Sequence, residues 1–205
     1  YAYAPLLKEE EKKYENFSKS IRRRAATIGG HNMDDYPLKM HVFNRARLIK
    51  NSKNRIPYGV DLIQKYKRES WIVFTENKKQ AKEFNKIINT KGFKSALYNT
   101  DLDSTERLEN LNKFKKADLN VLVTCTALDE GFDMPEADGA LILSASSSKR
   151  QRVQRMGRVL RITENKPNAL IVTVYSSKTE FDKLMEEAKR YHKEGVPVSW
   201  KRQDR

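Results

Sequence analysis

Short apolar runs alternate with helical segments from Trp71 onward, and this alternation constrains the fold more than any other feature. Each run is rich in β-branched, aromatic or leucine residues, which is typical of a strand buried on both faces of a parallel sheet. The runs are Trp71–Phe74, Ser95–Tyr98, Val121–Thr124, Ala140–Leu143 and Ala169–Val174. Because helical segments separate most of them, we predict right-handed crossovers and an α/β sandwich. Such a sheet binds ligands at the carboxyl ends of its strands.

The helical segments carry apolar stripes and recognisable starts. The stripes are Ala81, Phe84, Ile87 and Ile88, then Leu108, Leu111 and Phe114, then Phe181, Leu184, Met185 and Ala188. Asp103 precedes Glu106 by three residues, and Ser177 precedes Glu180 in the same way. This spacing is that of a capping box and marks the start of a helix.

The first 70 residues are rich in lysine and arginine and contain no strand-like apolar run. We predict a first helix that ends at Gly29 and Gly30, a second over about Tyr36–Asn51, and a third over about Tyr58–Lys67. The expected domains are a helical extension (1–69), an α/β domain (70–192) and a loose basic tail (193–205). The fold prediction is a mostly parallel sheet of five or six strands with a helical N-terminal extension. Since the chain begins YAYAPLL without a Met, we take it as a fragment of a longer protein.

Composition narrows the partners. The 205 residues include 41 Lys and Arg against 27 Asp and Glu, a net charge of +14, which favours a polyanionic partner. The single cysteine excludes an internal disulfide, and three scattered histidines lack ligand spacing, so we expect no metal site in this chain. No run of ~18 apolar residues occurs, so we expect no membrane span. The expected location is intracellular: cytoplasmic in a prokaryote or virus, with the nucleus possible otherwise.

The segment Gln154–Arg161 is strongly basic. Six cations fall between Lys149 and Arg161 with no acid among them, whereas a solvated helix intersperses carboxylates. Arg158 and Arg161 are three residues apart and would project from one helix face, where two guanidinium groups can clamp phosphate oxygens. The alternative is a basic helix that touches only nucleic acid or solvent.

A second segment, Val121–Pro135, combines a buried strand with hydroxyl residues, a turn at Gly131 and a carboxylate at Asp133. Hydroxyls at a strand end suit a phosphate or sugar, and an acid after a glycine turn suits a ribose hydroxyl. An ordinary strand with a polar exit loop explains the same pattern.

Together these two segments resemble motifs V and VI of superfamily 2 helicases. Trp71–Glu76 is similar to motif IV of that family, and Tyr98–Thr100 with the following Ser104–Arg107 matches another of its segments. The resemblance covers about residues 70–190. The form Glu130-Gly131-x-Asp133-x-Pro135 is nearest to XPB-type repair helicases and restriction-enzyme translocase subunits.

The resemblance implies a second RecA-like domain, with ATP and Mg²⁺ bound between it and a first such domain that holds the metal. Arg158 and Arg161 would contact the γ-phosphate as arginine fingers. Arg155 would brace the motif or bridge to the first domain, and Gln154 would couple the nucleotide to the strand. Gly131 and Asp133 would approach the ribose.

The resemblance also implies a grip on the nucleic-acid backbone. The residues expected there are Thr75, Thr100, Thr124 and Thr126. One departure is that the family threonine within motif V falls on Cys125, which leaves open which neighbouring hydroxyl binds the phosphate.

A phosphate loop is missing. The nearest candidate, Lys91–Ser95, has the wrong spacing and precedes a strand. We therefore expect the C-terminal motor domain of an ATP-dependent helicase, inactive as an isolated chain, with DNA favoured over RNA as its partner. The alternatives are a restriction-type DNA translocase that does not separate strands, and a nucleic-acid-binding module without ATPase activity.

Overall fold

The structure, a computed structural model, describes residues 1–125, 136–144 and 169–202. The helices are α1 (Lys8–Thr27), α2 (Tyr36–Lys50), α3 (Arg55–Tyr66), α4 (Lys78–Thr90), α5 (Ser104–Lys115) and α6 (Lys178–Lys193). The strands are β1 (Ala2–Tyr3), β2 (Trp71–Thr75), β3 (Ser95–Tyr98), β4 (Val121–Cys125), β5 (Gly139–Ile142), β6 (Leu170–Tyr175) and β7 (Lys201–Arg202). None of these helices is long and apolar enough to cross a membrane.

The strands form one sheet in the order β3-β4-β2-β5-β6-β1-β7, and every described pair is parallel. The predicted α/β fold with a parallel sheet is therefore confirmed. Strands β2, β4 and β5 are buried along their whole length, whereas β3 lies at an edge and is only half-buried. The prediction that each strand is buried on both faces was thus wrong for β3. A strand at the end of the sheet is covered less completely than a central strand.

The sheet separates two apolar layers, because successive side chains of a strand point to opposite faces. Val73 and Val123 pack with α3 and α4 residues such as Ile63 and Phe84. On the other face, Ile72 packs with Leu111 and Phe114 of α5. Trp71 is buried, as expected for a core indole.

Residues 1–69 contribute directly to this domain. α1 and α2 form a helical hairpin, but Ile56, Val60 and Ile63 of α3 belong to the core beneath the sheet. α3 begins at Arg55, three residues before the predicted start, because Pro57 lies in the first turn, where its missing N–H is no loss.

Two short strands were not predicted. β1 pairs with β6, and β7 pairs with β1, so part of the tail that we expected to be loose joins the sheet. Trp200 explains this order: its ring lies 4.5 Å from Tyr1 and 5.0 Å from Phe181, centroid to centroid. Strands of two residues leave no alternating pattern, so the sequence offers little signal for them.

Candidate nucleic-acid interface

The carboxyl ends of β2, β3 and β4 lie side by side. We call this end of the strands the carboxyl edge of the sheet. The parallel register aligns Thr75 with Cys125 and Tyr98 with Thr124, so the residues that follow each strand emerge side by side. Three of the four predicted backbone-binding threonines, Thr75, Thr100 and Thr124, lie at this edge. The fourth, Thr126, lies outside the described residues.

Thr75 is buried, with 3% of its surface exposed. Its Oγ1 lies 3.1 Å from the carbonyl oxygen of Thr124 and 3.2 Å from that of Asn77. A hydroxyl has one proton to donate, and here it is donated within the protein. Thr75 therefore ties the end of β2 to the end of β4, and its contact with nucleic acid stays a prediction.

Thr124 presents a different situation. It is 1% exposed, and its Oγ1 has no hydrogen-bond partner among the described residues. The same holds for Nε of Arg107, on α5. Buried polar atoms almost always have a partner. Within the described residues, the Thr124 hydroxyl and the Nε–H of Arg107 are therefore available to a ligand. Burial raises the pKa of the neighbouring Tyr98, and the positive charge of Arg107 partly opposes this shift.

Thr100 lies in the turn after β3 and is exposed. The preceding Asn99 is 2% exposed; its Oδ1 accepts a 2.9 Å hydrogen bond from the backbone N–H of Asp101. Its Nδ2 has no partner within the described part of the chain. Of the three described threonines, Thr100 is therefore the one best placed to meet a ligand.

The start of α4 adds positive charge beside this turn. The helix is capped by Asn77, whose Oδ1 accepts a 2.9 Å hydrogen bond from the backbone N–H of Gln80. Lys78 and Lys82 both bind the Asp101 carboxylate, and those two hydrogen bonds hold its pKa below the usual range. A helix N-terminus with lysines in its first turn is a favourable environment for phosphate oxygens.

Cys125 ends β4 and is 4% exposed. It packs in the apolar layer that includes Val121 and Val123. The thiol at the position of the family threonine is thus part of the core.

The predicted nucleotide contacts fall outside the described residues. They are Gly131, Asp133, Gln154, Arg155, Arg158 and Arg161. Their roles, and the fit of ATP with Mg²⁺ to this chain, stay predictions. The described part of the chain contains no group of three or more acidic, histidine or cysteine side chains that could hold a metal.

One buried charged pair was not predicted from the sequence. Arg55, with 0% of its side chain exposed, and Glu180 form a buried ion pair between α3 and α6. The available signal was an arginine three residues before the predicted start of the third helix. Glu180 was interpreted only as a capping residue.

Comparison with known proteins decides the family. The model of the helicase conserved C-terminal domain matches residues 54–163, more than half of the chain. The chain belongs to this helicase family. The resemblance to superfamily 2 helicases is therefore confirmed, and the start of the match at residue 54 agrees with the packing of α3 against the sheet.

Curated relatives of this helicase domain include the DNA 3'-5' translocase XPB2 of Sulfurisphaera tokodaii, 30% identical over 193 residues, which are 86% of this chain and 42% of the relative. UvrABC system protein B of Fusobacterium nucleatum is 31% identical over 125 residues, 58% of this chain and 19% of the relative. The chain thus spans less than half of the length of these curated relatives.

Solved structures agree on the fold. The SWI2/SNF2 ATPase core of Sulfolobus solfataricus in complex with dsDNA matches with a TM-score of 0.68 and 13% identity, covering 95% of this chain and 45% of that one. The C-terminal domain of the DEAD-box protein Dbp5 matches with a TM-score of 0.63 and 19% identity, covering 75% and 85%.

Proposed function

We propose that this helicase C-terminal domain is the second half of an ATP-dependent motor that acts on DNA. The observation that carries the proposal is the family match. It falls on a parallel sheet whose carboxyl edge brings together hydroxyl groups, a helix N-terminus and lysines. Solved structures with this fold include one in complex with dsDNA and one bound to RNA. The motif V form and the similarity to a protein named as a DNA translocase favour DNA.

In this proposal, nucleic acid is held by its phosphates. Exposed Thr100 and the first turn of α4 offer a hydroxyl, backbone N–H groups and the ammonium of Lys79. Lys78 and Lys82 are partly neutralised by Asp101, so Lys79 is the stronger electrostatic contact. Backbone contacts carry no base information, so binding is insensitive to sequence.

The nucleotide side of the proposal rests on the basic segment after β5. ATP, when bound, would supply the phosphoryl group that is transferred to water, and Mg²⁺, held by the first motor domain, would neutralise its phosphates. Arg158 and Arg161 stabilise the charge that develops on the transferred group, an effect worth roughly 10³–10⁵ in rate for arginine fingers. Gln154, Arg155, Gly131 and Asp133 bind and orient the nucleotide.

The test compares the full-length protein with the isolated chain. We expect the full-length protein to hydrolyse ATP, with faster turnover in the presence of DNA than of RNA of the same sequence. The isolated chain 1–205 should not exceed background, because it lacks a phosphate loop. Nucleic-acid-stimulated turnover by the isolated chain would contradict the half-motor assignment, and stimulation by RNA alone would contradict the DNA assignment.

A translocase without strand separation is the second candidate, favoured by the name of the XPB2 relative. A strand-displacement assay on a forked duplex, run beside displacement of a triplex-forming strand, separates the two. A helicase releases the duplex strand, whereas a pure translocase releases only the third strand.

A further inference from the structure

The guanidinium of Arg55 uses every donor that it has. Nε donates to the carbonyl oxygen of Ile49 at 2.9 Å. Nη1 donates to the carbonyl oxygens of Leu143 and Val174, both at 2.7 Å. Nη2 donates to the two carboxylate oxygens of Glu180 at 2.7 and 2.6 Å. An arginine has five N–H donors, so the group is saturated although it is completely buried.

The two strand carbonyls define where this group sits. Ile142, the last residue of β5, pairs with Thr173 of β6. Leu143 directly follows β5, and Val174 is the next residue of β6. Arg55 therefore links β5 to β6 at the carboxyl edge of the sheet. Ser144 follows, and then residues 145–168, which carry the predicted arginine fingers.

Glu180 completes the arrangement from α6. Its Oε2 also accepts a 2.8 Å hydrogen bond from the backbone N–H of Ser176, just after β6. The carboxylate thus fixes the guanidinium and the end of β6 together.

The turn before Arg55 connects the same edge to the helical hairpin. The hydroxyls of Ser52 and Ser176 lie 3.2 Å apart. The backbone N–H of Lys53 donates to Glu10 of α1 at 3.0 Å, and Lys50 pairs with Glu76, after β2, at 2.7 Å. One short segment therefore touches the ends of β2 and β6 together with both helices of the hairpin.

Stability alone is a weak explanation for such a pair. Replacing a buried ion pair by apolar residues is often neutral or stabilising, whereas a forked guanidinium imposes a defined geometry on each group that it binds. Here those groups are the residue after β5, which leads into the predicted arginine-finger segment, the end of β6 before α6, and the last turn of α2.

We infer that Arg55, held by Glu180, is a positioning residue for ATP hydrolysis: it fixes the start of the arginine-finger segment relative to the α1–α2 hairpin. The inference rests on the proposed function. Small misplacements of catalytic groups reduce the rate of the chemical step far more than they reduce ground-state binding. The expected signature is therefore a lower kcat at nearly constant KM for ATP.

The test uses Arg55→Lys in the full-length protein, since a lysine keeps the charge but its three N–H donors cannot satisfy the three carbonyl oxygens and the two carboxylate oxygens that Arg55 binds. Ile63→Ala is the control: it removes a buried side chain from the same helix. Both are assayed at a temperature at which circular dichroism shows them folded. We expect Arg55→Lys to lower kcat about tenfold or more, with KM for ATP and Kd for DNA within about twofold of the unsubstituted protein. Ile63→Ala should keep its kcat.

Equal kcat values for the two variants would overturn the inference. Should Arg55→Lys not fold, Ser52→Ala carries the test, because it breaks a link from the same turn to the end of β6 without leaving a buried charge. A kcat for Ser52→Ala equal to that of Ile63→Ala would likewise overturn the inference. No turnover in the unsubstituted protein would overturn the proposed function itself.

Discussion

The hydroxyl of Thr75 at the end of β2 lies 3.1 Å from the carbonyl oxygen of Thr124 at the end of β4. Both residues resemble nucleic-acid contacts by their motif positions, yet the bond joins them to each other inside the sheet. Thr100, one strand away, is exposed instead. The same residue type therefore serves two purposes at this edge, and substitution can tell them apart.

Thr75→Val should destabilise the domain and leave its affinity for single-stranded DNA largely intact. The substitution keeps the shape of the side chain and removes the one hydroxyl proton, which lies within reach of the carbonyl oxygens of Thr124 and Asn77. We expect the free energy of unfolding to fall by about 0.5–1.5 kcal/mol, measured by urea denaturation. An unchanged midpoint of urea denaturation would contradict the structural role of this hydroxyl.

Thr100→Val is the matched counterpart. Because its hydroxyl is exposed, we expect the free energy of unfolding to change by less than about 0.5 kcal/mol. Loss of one hydrogen bond to a phosphate should weaken DNA binding by roughly 0.5–1.5 kcal/mol, about two- to twelvefold in Kd, in a fluorescence titration. Equal loss of affinity in Thr75→Val and Thr100→Val would show that exposure does not distinguish their roles.

Acid should weaken the hairpin through Asp35. Arg24 binds this carboxylate through Nε at 3.0 Å and Nη2 at 2.7 Å, and these bonds hold the pKa of Asp35 below its ordinary value. Because the pKa is lower in the folded state, the contribution is present above pH ~4 and is lost as the pH falls through the lowered value. Asp35→Asn keeps the cap on α2 but removes the charge.

The measurement is the melting temperature as a function of pH. The melting temperature of Asp35→Asn should lie below that of the unsubstituted chain by a constant amount near neutrality. This difference in melting temperature should become smaller as the pH falls below about 4. The exposed neighbour Asp34, changed to Asn, is the control. If the difference in melting temperature for Asp35→Asn stayed constant down to pH 2.5, the Arg24–Asp35 ion pair would not be the source of the lost stability.

Binding of single-stranded DNA to the isolated chain should be weak, insensitive to sequence and steeply dependent on salt. The net charge of +14 and the basic start of α4 imply contacts to phosphates, and neutralising phosphates releases counterions. Titrations at two salt concentrations with two unrelated sequences measure both properties. Affinity that is independent of salt, or confined to one sequence, would contradict a backbone grip.

Much of the fold could be predicted because buried parallel strands are dense in apolar residues. The five predicted strands lie within one residue of the observed ones, and Asp103 caps α5 as its spacing indicated. At Ser177 the outcome is mixed. Its hydroxyl accepts from the backbone N–H of Glu180 at 3.3 Å and donates to Oε2 of Glu180 at 3.4 Å, but the main partners of that carboxylate are Arg55 and the N–H of Ser176.

The parts that could not be predicted depend on distant contacts. Arg55 and Glu180 are 125 residues apart, and nothing local to either one points to the other. Likewise, Thr75 and Thr100 look equivalent as polar residues after strands, and only the packed structure shows that one is buried. Local patterns define elements, whereas burial and long-range pairing assign roles to side chains.

The most direct test of the motor assignment is the turnover of Arg158→Ala and Arg161→Ala in the full-length protein, with Arg150→Ala and Arg152→Ala as controls from the same basic segment. A guanidinium that acts on the transition state contributes to kcat and little to nucleic-acid binding. We predict that the first two substitutions remove most of the ATPase activity while DNA affinity and melting temperature stay nearly unchanged, and that the controls lose far less. If all four weakened DNA binding equally and left turnover per bound complex unchanged, the segment would be a nucleic-acid grip and the finger assignment would be wrong.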